Sequence, residues 1–353
     1  MSVDNHTPFP SLAFRQYNLA GDLLGVVVAR GTFKLTNGGP LAIDAVQQPL
    51  VMSDVYDGDP HQTPQLACTD LAPVKPGTDI TFIGAAFAPN GVAATSWTCG
   101  LKVGPAQKRL RVHGPRFWRA KTRKTWRGLV DKKKEDALDG WELTAGEAVT
   151  YVPIDWRFAF GGRTDDGEAF ERNPVGIGLV DEGLFRERPE WPAPQIEDPD
   201  APIRSVRDRP APAGFGPLSP FWHDRIQKAG TYDDVWLTER HPLLPLDFDL
   251  SFWQAAHPDL VVDPWLQGGE AFELDHLLPG LGVFRGRLPN VGLEVAVDQG
   301  SGSWRSAMML DGVHFDMRPG VGRVFLTWRI SFPWPKRQGR PRLAFTPSTQ
   351  GVV

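Results

Sequence analysis

Apolar and polar residues alternate with a period of two in several separate stretches of the chain. In "SWTCGLKV", Trp97, Cys99, Leu101 and Val103 fall on one side and Thr98, Gly100 and Lys102 on the other. After the turn "GPAQ", "KRLRVH" sets Leu110 and Val112 against Arg109, Arg111 and His113. Side chains of a strand point alternately to its two faces, so this pair predicts a hairpin with one dry and one wet face. "VGLEVAVD", "GVHFDMR" and "GRVFLTWRISF" alternate in the same way. In the last, Val324, Leu326, Trp328, Ile330 and Phe332 oppose Arg323, Thr327, Arg329 and Ser331. "GVVVARGTFKL" and "DITFIGAAFAP" are apolar almost throughout and predict mostly buried strands. "VTYVPIDWRFAF" predicts one more, with Val152, Ile154, Trp156, Phe158 and Phe160 on one face. No internal repeat of fixed period is present.

The 33 prolines and 37 glycines among 353 residues punctuate these runs and favour turns and short elements over long helices. The expected fold class is mainly β: antiparallel sandwich- or barrel-like sheets with long Pro/Gly-rich loops and few short helices. Residues 186–220 contain "RPEWPAPQIEDPDAPIR" and "RPAPAGFGPLSP", an extended connection rather than a packed element. It either links two lobes or wraps across one body. The expectation is therefore one domain over residues 9–335, or two β-rich lobes, about 9–180 and 221–335, joined by 181–220.

Charge narrows the list of partners. The net charge of −4 gives no reason to expect nucleic acid or an anionic membrane. The N-terminus has no basic and apolar signal regions, and no apolar run approaches the roughly 18 residues of a membrane span. The two cysteines, Cys68 and Cys99, form no CxxC pair, so the expected compartment is the reducing cytoplasm.

Candidate chemistry centres first on "AFGGRTDDGEAFERNPVGIGL". Its glycines do not complete a dinucleotide fingerprint, because Asp181 stands where the third glycine belongs, and no GK[ST] exists in the chain. Asp165, Asp166, Glu168 and Glu171 offer a glycosidase-type reading, in which a carbohydrate-binding or hydrolytic β-protein uses this loop. That chemistry needs two carboxylates facing each other across a cleft roughly 5–10 Å wide, and an acidic turn is the simpler account. His223, Asp224, His241, Asp247, Asp249, His257 and Asp259 match no metal-ligand spacing and suit loop caps better, so no metal or cofactor is expected. No GxSxG elbow is present.

Residues 116–134 carry nine Lys/Arg against one Asp: Arg116, Arg119, Lys121, Arg123, Lys124, Arg127, Lys132, Lys133 and Lys134, with Trp118 and Trp126 interleaved. The run reads as a solvated loop, as a docking surface for an acidic protein, or as a nucleic-acid-binding module. The residues alone thus favour a binding or scaffolding role over an enzyme.

The ordered succession of several motifs is more specific. "FGG" (Phe160, Gly161, Gly162) is followed by "NPVGIG", which holds Asn173, Pro174, Gly176 and Gly178. Before them stand "GVVVARGTFKL", "TDLAPVKPGTDITFIGAAFAPNG" and "VHGPRFW". After them come "AGTYDDVWLTERHPLLPLDFDLSFWQAAHPD", "LQGGEAFELDHLLP", "GRLPN" and "LDGVHFDMRPGVGRVFLTWRISFP". Over about residues 9–335 this order resembles a bacterial domain-of-unknown-function family encoded beside type VI secretion effectors and spike proteins. The chain departs from it at Leu260, where Gln is frequent, and in the length and charge of the 116–134 run. The resemblance implies a cytoplasmic effector adaptor or chaperone. Its partners would be a secreted effector and the valine-glycine repeat spike protein, with no nucleic acid, no membrane, no cofactor and no catalytic residues. The basic run and the 186–220 segment are then the candidate contact regions, and the glycine-rich signature is architecture.

Overall fold

The computed structural model describes residues 3–126, 134–298, 303–334 and 341–347. It is mainly β, with several mostly antiparallel sheets and no closed barrel. The central sheet runs Tyr151–Ile154, Thr78–Phe87, Met309–Asp316, Arg323–Pro333, Leu23–Lys34, Ser11–Tyr17. Within it Met309–Asp316 lies parallel to Thr78–Phe87, while Arg323–Pro333 is antiparallel to both of its neighbours. The two strands from the C-terminal part of the sequence therefore sit side by side between strands from its N-terminal half.

A second sheet orders Ile196–Glu197, Ala106–His113, Ser96–Val103, Ala271–Leu278, Leu281–Arg287. The predicted hairpin is there, with Cys99 opposite Leu110 and Trp97 opposite Val112. Its dry face packs on the central sheet. Val27, Ile80, Phe82 and Leu326 share one core with Leu101, Leu110, Val112 and Leu274. Phe272 meets Phe315 across the two sheets at 5.3 Å between ring centroids. Each such side chain contributes about 1.5–3 kcal/mol by leaving water.

Three expectations change in the folded chain. The stretch "VTYVPIDWRFAF" is not one strand: it stops at Ile154, and Asp155 caps a tight turn, Trp156–Phe158, by accepting from the Arg157 amide. Val152, Ile154, Trp156 and Phe160 are buried nonetheless, because the turn redirects the backbone without releasing the apolar face. The expected wet face of Arg323–Pro333 is covered where Thr327 and Arg329 stand, both buried under residues 44–75. Finally, the described part of the basic run is strand, since Phe117–Trp126 pairs antiparallel with Lys134–Leu143.

The Pro-rich segment contributes strands to two sheets. Glu190–Pro192 adds to Phe117–Trp126, and Ile196–Glu197 adds to Ala106–His113, so one short run stitches two sheets together. Among the described residues regular helix is confined to single turns such as His223–Ile226 and Trp236–Arg240. No helix among them is long and apolar enough to cross a membrane.

Candidate partner-binding surfaces

The glycine-rich signature closes on itself around Asn173. This side chain is fully buried, and its Nδ2 donates to the carbonyls of Trp156 (2.9 Å) and Phe160 (3.0 Å). The Asn173 backbone carbonyl accepts from the Gly162 amide at 2.8 Å. Phe160–Gly161 pairs parallel with Ile177–Gly178. Gly161 has φ +149°, and a Cβ there would lie 2.1 Å from the Asn173 oxygen, so only glycine fits. At Gly176 a Cβ would meet the Asn173 Nδ2 at 2.5 Å. Pro174 restricts Asn173 to an extended or turn backbone. These bonds and close approaches hold the loop shut, while the buried Asn173 Oδ1 has no hydrogen-bond partner among the described residues. Asp165, Asp166, Glu168 and Glu171 are all exposed along the intervening turn, not paired across a cleft.

The basic run divides into two populations. Arg116 and Trp118, read as surface contacts, are interior: Trp118 packs with Trp191 and Phe160, and Arg116 donates to Glu197 at 2.9 Å. Burial alone would raise the Glu197 carboxyl, but His113, Arg116 and the Ile203 amide together hold it at about 2. This cluster is a clamp on the Pro-rich segment. The outward residues Arg119, Lys121, Arg123 and Lys124 face Glu190, Glu142, Asp139 and Asp136 in turn. Each of these four exposed cations is therefore offset by an acid on the neighbouring strand. Trp126 and Lys134 end the paired strands. Arg127, Lys132 and Lys133 lie outside the described residues.

The histidine and aspartate cluster is likewise engaged locally. Asp224 takes a bidentate bond from Arg172, Asp247 holds Thr231, Asp249 caps the turn at Ser251, and the His257 ring accepts from the Asp259 amide. Among the described residues no three His, Cys, Asp or Glu side chains converge as a metal site. Burial pushes the Cys68 thiol up to about 12 and raises Cys99 as well, so neither is poised as a thiolate.

Two features escaped the sequence reading, both on the second face of the central sheet. The first is a buried ionic network under residues 44–75. Arg329 donates to Asp311 at 2.6 Å and to the carbonyls of Asp70 and Ala72, Arg30 reaches Asp70 at 3.3 Å, and Lys75 reaches Asp79 at 2.8 Å. Three cations meet three carboxylates, so the network is close to neutral. Burial alone would lower Lys75, but Asp79 and Asp311 outweigh it and raise its pKa. The His314 ring, bonded to the Thr81 hydroxyl at 2.8 Å, is driven down to about 3 by burial and the neighbouring Arg30. A cavity of about 50 Å³ beside these groups has room for water and little else.

The second feature lies where residues 44–75 stop covering the sheet. An open cleft of about 630 Å³ has Ile83, Ala85, Phe87, Tyr151, Pro153 and Met317 as its apolar lining. Asp57, Asp155, Arg157 and Arg318 stand at its rim. Arg157 forks onto Asp155 (2.6–3.1 Å) and reaches Asp57 at 2.8 Å, while Arg318 forks onto Asp316 at 2.7 and 2.9 Å. These bonds raise both arginine pKa values and fix the guanidinium orientations. The alternation of Ile83, Ala85 and Phe87 was the available signal. It was hidden because "DITFIGAAFAP" is apolar on both faces, so the sequence did not reveal that one face stays open.

The family model described as an uncharacterized protein conserved in bacteria (DUF2169) matches residues 20–329. No curated protein and no solved structure matches the chain.

Proposed function

We propose, from the premise that the chain belongs to this conserved bacterial family, that it is a non-catalytic adaptor or chaperone for a type VI secretion effector. It would hold the effector in the cytoplasm and help load it onto the valine-glycine repeat spike before firing. The open apolar cleft supports this reading, because a large apolar concavity with a few polar groups at hand is where a binding site is first sought. The ordered motifs over about residues 9–335 add to it. The exposed acids of the signature turn and the unactivated thiols supply no nucleophile–base or facing-carboxylate pair among the described residues.

The mechanism is physical. A rigid double-sheet body shields an apolar part of the effector and releases it at handover. Selection with release calls for an interface of ordinary size, on the order of 1,200–2,000 Å², with a polar rim. The experiment is co-purification with the product of the neighbouring effector gene, followed by secretion assays after deletion. A stable complex and lost secretion are expected. Absence of a complex together with normal secretion would overturn the proposal.

A further inference from the structure

We infer that the cleft beside Tyr151 binds an extended, uncharged segment of a polypeptide partner, inserting an aliphatic or aromatic side chain between Phe87 and Met317. This inference rests on the adaptor reading and names what that surface would hold. Three observations carry it.

The first is shape and chemistry. The lining is apolar on three sides, from Phe87 and Ala85 on one strand, Tyr151 and Pro153 on the sheet edge, and Met317 beyond the neighbouring strand. A volume of about 630 Å³ matches a short peptide segment, since pockets for drug-sized ligands span roughly 300–1,000 Å³. Tyr151 is 57% exposed, and its ring sits 6.4 Å from that of Phe87. The two form an aromatic wall at the mouth of the cleft.

The second is the charge of the rim. Arg157 and Arg318 are matched by Asp57, Asp155 and Asp316, leaving a sum near −1. A phosphate, a lipid headgroup or an acidic peptide would meet three carboxylates that already occupy the guanidinium forks. The rim nevertheless keeps hydrogen-bonding capacity. Nη1 of both arginines and Oδ1 of Asp57 make no protein bond among the described residues, because Nε and Nη2 carry all the contacts of each arginine. Donors and an acceptor side by side, with little net charge, complement the C=O and N–H groups of a peptide backbone.

The third is the sheet edge. Tyr151–Ile154 is the terminal strand of the central sheet, and Pro153 removes a donor from it. An added β-strand would lack a regular ladder there, so recognition falls to the side-chain cleft rather than to strand addition.

The test titrates the full-length protein with three capped peptides by calorimetry: Ac-Gly-Leu-Phe-Leu-Gly-NH2 and its analogues with both leucines replaced by aspartate or by lysine. The leucine peptide is expected to bind at least tenfold more tightly than either charged one. Ala85→Trp fills the cleft from its half-buried floor and should weaken that binding at least tenfold, with an unchanged thermal midpoint as the folding control. Tighter binding of a charged analogue, or leucine-peptide affinity unaffected by both Ala85→Trp and Tyr151→Ala, would overturn the inference. So would binding of decanoate, displaced by Ala85→Trp, with no peptide binding. The effector pull-down separates the two proposals. An Ala85→Trp protein that still captures the effector refutes the cleft assignment alone. Peptide binding without any effector complex refutes the adaptor reading alone.

Discussion

Replacing Asn173 by alanine tests whether the glycine-rich signature is architecture. The wild-type side chain is fully buried and donates two hydrogen bonds, at 2.9 Å to the Trp156 carbonyl and 3.0 Å to the Phe160 carbonyl. Alanine removes both donors and leaves both acceptors in the interior. A buried acceptor stripped of its donor costs about 1–3 kcal/mol. The Trp156 carbonyl also accepts from the Ala159 amide at 3.2 Å, so its loss falls at the low end. The two losses together come to about 2–4 kcal/mol. The assay is equilibrium urea denaturation followed by tryptophan fluorescence, with the difference read from the midpoint at constant slope. Asn173→Asp is the sharper companion: it is nearly isosteric, yet a carboxylate has no hydrogen to donate and places charge against two carbonyls, so it should be worse than alanine. An Asn173→Ala protein within about 0.5 kcal/mol of wild type would refute the architectural account. An Asn173→Asp protein as stable as wild type would refute it equally.

Gly161→Ala should cost several kcal/mol or prevent folding, measured by the same titration, because its Cβ would sit 2.1 Å from the Asn173 oxygen. Arg329→Met should lose about 3–5 kcal/mol by stranding Asp311, which is 1% exposed, and the double variant with Asp311→Leu should recover much of that loss. His314 is neutral in the folded protein with its pKa lowered to about 3, so folding is favoured above the unfolded value near 6.5 and this contribution falls away as pH drops toward 3. Its ring resonances should stay in the neutral position from pH 7.5 to 5, and a midpoint near 6.5 by NMR would contradict the burial described. Removing Lys121, Arg123 and Lys124 together should shift stability by no more than about 1 kcal/mol, since all three are exposed pairs worth little each.

The period-two runs determined much of this protein directly. Strand positions and the dry face of the 96–113 hairpin follow from alternation alone, because a pleat places every second side chain on the same side. The turn at the signature was also readable, since two adjacent glycines and an Asn-Pro step announce a turn that needs special backbone geometry, and Gly161 and Gly162 do take positive φ. What alternation does not encode is what lies over each face. Arg329 and Thr327 look solvated in the sequence and are buried because a segment more than 250 residues away lies across them. Arg116 looks like part of a charged surface and is instead buried, bonded to Glu197 of the Pro-rich segment. Lys121, Arg123 and Lys124 keep their charges but stand beside opposite ones, because Glu142, Asp139 and Asp136 arrive on the paired strand. The cleft is the same lesson reversed: Ala85 and Phe87 look like core and stay open to water. Burial and net field are properties of neighbours brought together by long-range contacts, so the tertiary structure alone decided which apolar face was left open.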